Sequence, residues 1–224
     1  MNNLIITNSQ GSWLDTNGIP YTKILSRNDT FIYTKSGLDI DFIISNFDDI
    51  FKTNQISTVV IQIGIIEISN RILHDRTKRI LTNLGFIGKV ITKLAWLYKY
   101  EWLKIKKFLQ IKSYQKVTIE EFKEKNIQLI EMLLKCNIKK IYIVGIPYLD
   151  SHYIKTINPY INNIIKESNK LLKTLNYRNV TYLDVSKLLY NNGSYMKGTV
   201  HFSKIGHERF AKFLLSNIKE IHDN

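Results

Sequence analysis

Short apolar runs alternate along the chain with longer segments whose apolar residues recur at helical spacing. Leu4 to Thr7 is a compact apolar run that stops at Asn8-Ser9-Gln10-Gly11. Phe31 to Thr34 is a second, followed by Lys35-Ser36-Gly37. Thr58 to Ile63 is strongly β-branched and stops at Gly64. Lys140 to Val144 is closed by Gly145-Ile146-Pro147, and Val180 to Leu183 is the last of the series. Runs this short, bounded by turn residues, predict strands. Between them, Leu38 to Phe51 carries Leu38, Phe42, Ile43, Phe47, Ile50 and Phe51 at helical spacing. Ile119 to Leu134 follows Thr118, with Glu121 completing a capping-box pattern. Pro159 to Leu175 has proline near its first turn, and Ser203 to Ile221 reads as the terminal helix. Such alternation predicts an α/β fold with a mainly parallel sheet. Near-continuous apolarity of the strands predicts helices on both faces, hence a three-layer α/β/α sandwich.

The segment from Ile68 to Lys116 breaks this rhythm. It is too long for an ordinary strand-to-helix loop and reads as an inserted helical subdomain, residues 68–116. Within it, Phe86 to Lys112 is amphipathic. Ile87, Val90, Ile91, Leu94, Tyr98, Ile105 and Leu109 share one face, with Lys89, Lys93, Lys104 and Lys107 opposite and the rings of Trp96 and Trp102 added. The commoner use of an apolar stripe is interior packing, so the stripe is expected to cover the sheet with its lysines in solvent. The formal charge of the chain is +13, and residues 71–116 hold twelve Lys or Arg against only Asp75 and Glu101. A local excess of this kind points to an anionic partner: a phospholipid surface, a lipid-linked pyrophosphate sugar or an acidic polysaccharide. Basic charge alone supplies only non-specific nucleic-acid binding, and no zinc-finger or RRM signature accompanies it.

A length of 224 residues suits one domain, and three prolines and ten glycines leave no flexible linker visible. Met1-Asn2-Asn3 runs straight into the first apolar run, without the pattern of a signal peptide, and no apolar stretch is long enough to span a bilayer. The single cysteine, Cys136, ends an apolar helical stretch and is expected to be a buried structural thiol. The cytoplasm, or the inner face of its membrane, is the expected location. Five scattered histidines and one cysteine make no metal cluster, and no Walker or dinucleotide glycine motif occurs, so no cofactor is expected.

Open α/β sheets carry their sites at the carboxyl ends of strands. Ser9, Gly37, Gly64 to Glu67, and Asp184 all fall at such ends, and His201 lies just before the terminal helix. A serine hydroxyl becomes a nucleophile when a base takes its proton, and histidine is the usual base near neutral pH. Backbone N–H groups of Ser9 and Gly37 are candidate oxyanion donors. Each residue also has a plainer use: Ser9 and Gly37 as turn residues, Asp184 as a cap for Val185 onward, Glu67 and Arg71 as an ion pair one helical turn apart.

Order and spacing resemble the SGNH (GDSL-like) hydrolase family over most of the chain. Thr7-Asn8-Ser9-Gln10-Gly11 stands for its serine block and Ser36-Gly37 for its glycine block. Gly64-Ile65-Ile66-Glu67 takes the place of its Gly-x-Asn-Asp block, and Gly198-Thr199-Val200-His201 that of Asp-x-x-His. The stretch from His201 to Ala211, with Gly206-His207, and the helix Tyr160 to Leu172 with Asn169 also look like the family. Three positions depart: Ile66 replaces the asparagine, Glu67 the aspartate, and Gly198 the acid that orients the histidine. Gly64-Ile65-Ile66-Glu67 with Arg71 is similar to a Gly-Ile-Val-Asp variant seen in SGNH-like proteins of surface-polysaccharide gene clusters. The resemblance implies a flavodoxin-like five-stranded sheet and Ser9–His201 catalysis, with Asp184 as substitute acid and Gln10, Glu67 and Arg71 as substrate-binding residues. It implies an esterase that removes an acyl group, in the first place acetyl, from a carbohydrate. A polysaccharide O-acetyltransferase using the same pair is the alternative, and an inactive scaffold docked through the basic insertion is another.

Overall fold

The computed structural model describes residues 2–12, 18–26, 29–51, 56–71, 80–98, 114–115, 117–156, 160–196 and 199–222. Five parallel strands form the central sheet: β1 (Asn2–Thr7), β2 (Thr30–Thr34), β3 (Ile56–Gln62), β6 (Lys140–Val144) and β7 (Val180–Leu183). Their spatial order is β2-β1-β3-β6-β7. Burial follows position. Every residue of β3 is buried, as are all but the first of β1 and β6, whereas the outer strands β2 and β7 are partly exposed. Inner strands covered on both faces have no place for alternating polar residues, which is why their sequences read as unbroken apolar runs.

Two groups of helices complete the layers. One contains α1 (Ser9–Ser12), α2 (Tyr21–Leu25) and α10 (Lys204–Asn217), followed by α11 (Lys219–His222). The other contains α3 (Ile40–Ser45), α4 (Phe47–Phe51), α5 (Ile65–Ile68), α7 (Ile119–Lys135) and α9 (Ile161–Lys173). Both halves of the Thr118–Glu121 capping box form, at 2.8 and 3.1 Å. The single helix expected over Leu38 to Phe51 is two, because Asn46 caps α3 and its Nδ2 donates to the Phe42 carbonyl at 2.8 Å. Cys136 is exposed, contrary to expectation. Its spacing continues the buried stripe of Leu129 and Leu133, but α7 ends at Lys135, and the cysteine is left at the cap.

Three further features are described, of which only the helix beginning near Phe86 was expected. A two-residue antiparallel pair joins β4 (Asn70–Arg71) to β5 (Tyr114–Gln115). Helix α6 (Gly85–Leu97) lies between them in the chain, after a helical turn at 80–83. Helix α8 (Ser151–Thr156) follows β6.

Candidate active site

Strand order creates the site. The chain leaves β1 toward β2 on one side and returns to β3 on the other, so the connections that follow β1 and β3 run to opposite faces of the sheet, the usual place for a site in such a fold. Ser9 sits there, half-buried, as the first residue of α1. Asn8 shapes the turn: its Oδ1 accepts from the Gln10 N–H at 2.9 Å, and its carbonyl accepts from the Gly11 N–H at 3.0 Å. The Asn8 Nδ2 is buried without a protein partner, a cost on the order of 1–3 kcal/mol that the turn sustains.

A buried polar floor lies under this turn. The parallel ladder sets Thr7 of β1 opposite Gln62 of β3. Gln62 Oε1 accepts from the Thr7 hydroxyl and lies 3.0 Å from the Tyr21 hydroxyl, which is also 2.9 Å from Thr7 Oγ1. Burial pushes the Tyr21 phenol well up from its ordinary range, and the Thr7 hydrogen bond opposes this only in part. Gln62 Nε2 donates to Gln10 Oε1 at 2.8 Å, and Gln10 Nε2 donates to the Val200 carbonyl at 2.8 Å. One glutamine beside Ser9 thus holds the residue beside His201.

The histidine loop is anchored from its other side as well. Tyr195 and Phe202 form an antiparallel bridge, and the Met196 N–H donates to the His201 carbonyl at 3.0 Å. Phe202 is fully buried among Tyr195, His207, Phe210 and Tyr21, with ring centroids 5.1–6.3 Å apart. Ser203 caps α10 through the Gly206 N–H at 3.2 Å. His207 is a core residue whose Nδ1 accepts from the Tyr21 N–H at 3.1 Å, tying α10 to α2. These contacts bring the His201 ring to the main chain of Ser9, 192 positions earlier in the chain. Partial burial lowers the His201 pKa and the Ser9 contact opposes the shift, so the imidazole is neutral near pH 7.

The other expected residues divide between the surface and the core. Gly37 is exposed at the end of β2, with φ +73°, a backbone that a side chain would strain. Ile66, in the asparagine position, packs against the core. Gln10 and Glu67 are each 1% exposed, so neither presents its side chain to a substrate. Glu67 Oε1 accepts from the Ile40 N–H at 2.8 Å, fastening the start of α3, next to the Gly37 turn, onto α5. Burial pushes its carboxyl up to about 7 against the pull of the Glu67 and Ile40 N–H groups, with the Asp41 charge adding to the rise. Asp184 is exposed, and its Oδ1 accepts from the N–H and hydroxyl of Ser186 at 2.9 and 2.7 Å. It is not the acid of a triad. β7 lies three strand spacings from β1, roughly 14 Å at the usual interval. Arg71 belongs to β4, and its side chain, with Gly198, Lys104 and Lys107, lies outside the described residues. Lys89 and Lys93 stand exposed on α6. Sequence reasoning missed Gln62 and Tyr21; a glutamine closing an otherwise apolar strand was the available signal.

A parallel 2-1-3-6-7 sheet between two layers of helices is an α/β/α sandwich. It is the SGNH fold. The lipase/acylhydrolase from Enterococcus faecalis has a TM-score of 0.60 at 14% identity, over 98% of this chain and 96% of that one. A GDSL-like lipase from Bacteroides thetaiotaomicron gives 0.60 at 11% identity, over 98% and 88%. An acetylxylan esterase from Geobacillus stearothermophilus gives 0.53 at 14% identity, over 99% and 94%. No family model and no curated protein sequence matches the chain.

Proposed function

We propose that this protein is a serine ester hydrolase that removes a small acyl group, acetyl first, from a carbohydrate. The observation that carries the reading is the meeting of His201 with Ser9 at the β1/β3 switch point. In the proposed cycle Ser9 Oγ attacks the ester carbonyl carbon while His201 takes its proton. The oxyanion is held by the N–H groups of Ser9 and Gly37. His201 returns the proton to the departing sugar oxygen, and the acyl-serine bond is then broken by water. With glycine at position 198 in place of an orienting acid, the Ser9 main chain and the Gln10–Val200 link take over the placement of the ring. The choice of a carbohydrate ester as substrate rests on the sequence likeness to surface-polysaccharide proteins and on the fold shared with an acetylxylan esterase.

Fluorophosphonate labelling followed by peptide mapping tests this. The reading expects one label, on Ser9, and release of acetate from an acetylated oligosaccharide. Ser9→Ala is expected to abolish both and His201→Ala to lower turnover by about 10³-fold or more, while Asp184→Asn stays within about twofold of wild type. Folded protein that takes no label, or hydrolyses the ester equally well as Ser9→Ala, would refute it.

A further inference from the structure

We propose that α6 is a membrane-surface anchor that lies in the interface of an anionic lipid bilayer. The helix meets the preceding helical turn, residues 80–83, by its narrow side. A Cβ at Gly88 would stand 1.6 Å from the Leu81 carbonyl oxygen, so only glycine permits this approach, and the Thr92 hydroxyl turns back to the Gly88 carbonyl at 2.8 Å. The wide apolar arc therefore points outward, opposite to the expectation from its periodicity. Phe86 is 81% exposed and Ile87 64%, and Val90, Ile91 and Leu94 are each 41–47% exposed. Soluble proteins rarely leave such an arc uncovered unless something binds it.

Charge selects the occupant. Lys89 and Lys93, one turn apart, border the apolar arc. They line an open groove of about 490 Å³ together with Leu81, Thr82, Gly88 and Thr92. They lie along one edge of the arc, where the long stems of lysines carry charge to the phosphate level of a bilayer while the apolar side chains enter the acyl boundary. The segment from Arg71 to Lys116 carries ten of the thirteen net positive charges of the chain. Two copies facing each other through α6 would bring these like charges together, whereas an anionic surface is attracted by them. The helix lies on the membrane and does not cross it: thirteen residues reach about 20 Å, short of a hydrocarbon core of about 30 Å. Among the described residues no helix is long and apolar enough to span a bilayer.

Flotation of the full-length protein with phosphatidylcholine vesicles, with and without phosphatidylglycerol, tests the proposal, with sedimentation velocity run in parallel. Binding is expected only to the phosphatidylglycerol vesicles and is expected to weaken with salt. Lys89→Gln with Lys93→Gln should lower partitioning by about thirtyfold. Phe86→Ser with Ile87→Ser should abolish it, with the unfolding midpoint of both variants unchanged. No flotation, equal flotation with both vesicles, or a wild-type dimer that Phe86→Ser dissociates would each overturn the proposal, the last in favour of a second copy. Ester hydrolysis of a soluble substrate is the same in every variant, so the outcome is independent of the Ser9 chemistry.

Discussion

The floor beneath Ser9 and the outer face of α6 invert the usual rule in opposite directions. Under Ser9, Thr7, Gln10, Tyr21 and Gln62 are polar or phenolic, yet all are buried and joined in one hydrogen-bonded chain. On α6, Phe86, Ile87 and Leu94 are apolar and exposed. Each arrangement costs free energy when considered alone. In the first the cost is offset internally, because nearly every donor there finds an acceptor, and the gain is a fixed geometry. In the second nothing within the described residues offsets it, and the gain must come from outside the molecule. A satisfied buried polar network therefore marks a place that must not move, and an unsatisfied apolar surface marks a place that must meet something.

Breaking the network should have the largest effect. Gln10→Leu leaves the Val200 carbonyl and Gln62 Nε2 without partners. It is expected to cost about 2–4 kcal/mol in chemical denaturation, from two unsatisfied buried groups. Ester turnover should fall on the order of 10²-fold as the histidine loop loses its tie to the Ser9 turn. A Gln10→Leu protein of wild-type stability and rate would remove the contrast.

Glu67 sharpens the comparison, because it is a buried group satisfied on one oxygen only. Its folded pKa of about 7 lies above the ordinary 4.5. Folding therefore favours the protonated form, and the stability this contributes is complete below about pH 4.5 and is lost as pH rises through 7. The loss is on the order of 3 kcal/mol. Glu67→Gln keeps the acceptor for Ile40 and should abolish that slope in denaturation curves taken across the same range. His201 works in the opposite sense. Its lowered pKa gives stability present above its ordinary 6.5 and lost as pH falls below that value, and this contribution is common to both proteins and cancels in the difference.

The smallest effect belongs to the exposed arc. Phe86→Ser should change the unfolding free energy by less than about 0.5 kcal/mol in the absence of lipid. A fall of several kcal/mol would show the ring packed inside the protein and would erase the second half of the comparison.

Much of the fold was legible because its signals are local. Every main strand lies within two residues of its apolar run, since an inner strand has no alternative pattern to offer. Thr118 and Glu121 announced α7 by a contact spanning three residues. Ser9 and His201 are proposed from the order of blocks along the chain. The polar floor was not, because its bonds join residues 52 and 190 positions apart and no periodicity records them. Gln10 and Glu67 were correctly seen as unusual but given to the substrate, since the sequence does not say on which side of the surface a polar residue lies. The same ambiguity misdirected α6. Periodicity shows that an apolar face exists, while Gly88, through its contact with Leu81, decides which side of the helix meets the turn before it. Asp184 was displaced by topology, because a position at the end of a strand does not reveal how far along the sheet that strand stands.

The small pairing of Asn70 with Gln115 and Arg71 with Tyr114 gives the architecture a seam. The chain departs after Arg71 and comes back at Tyr114, directly alongside. Residues 72–113 can therefore lengthen, shorten or be exchanged for a tight hairpin without asking any strand of the main sheet to shift. Evolution is free to change what the protein touches there while the serine turn stays in register.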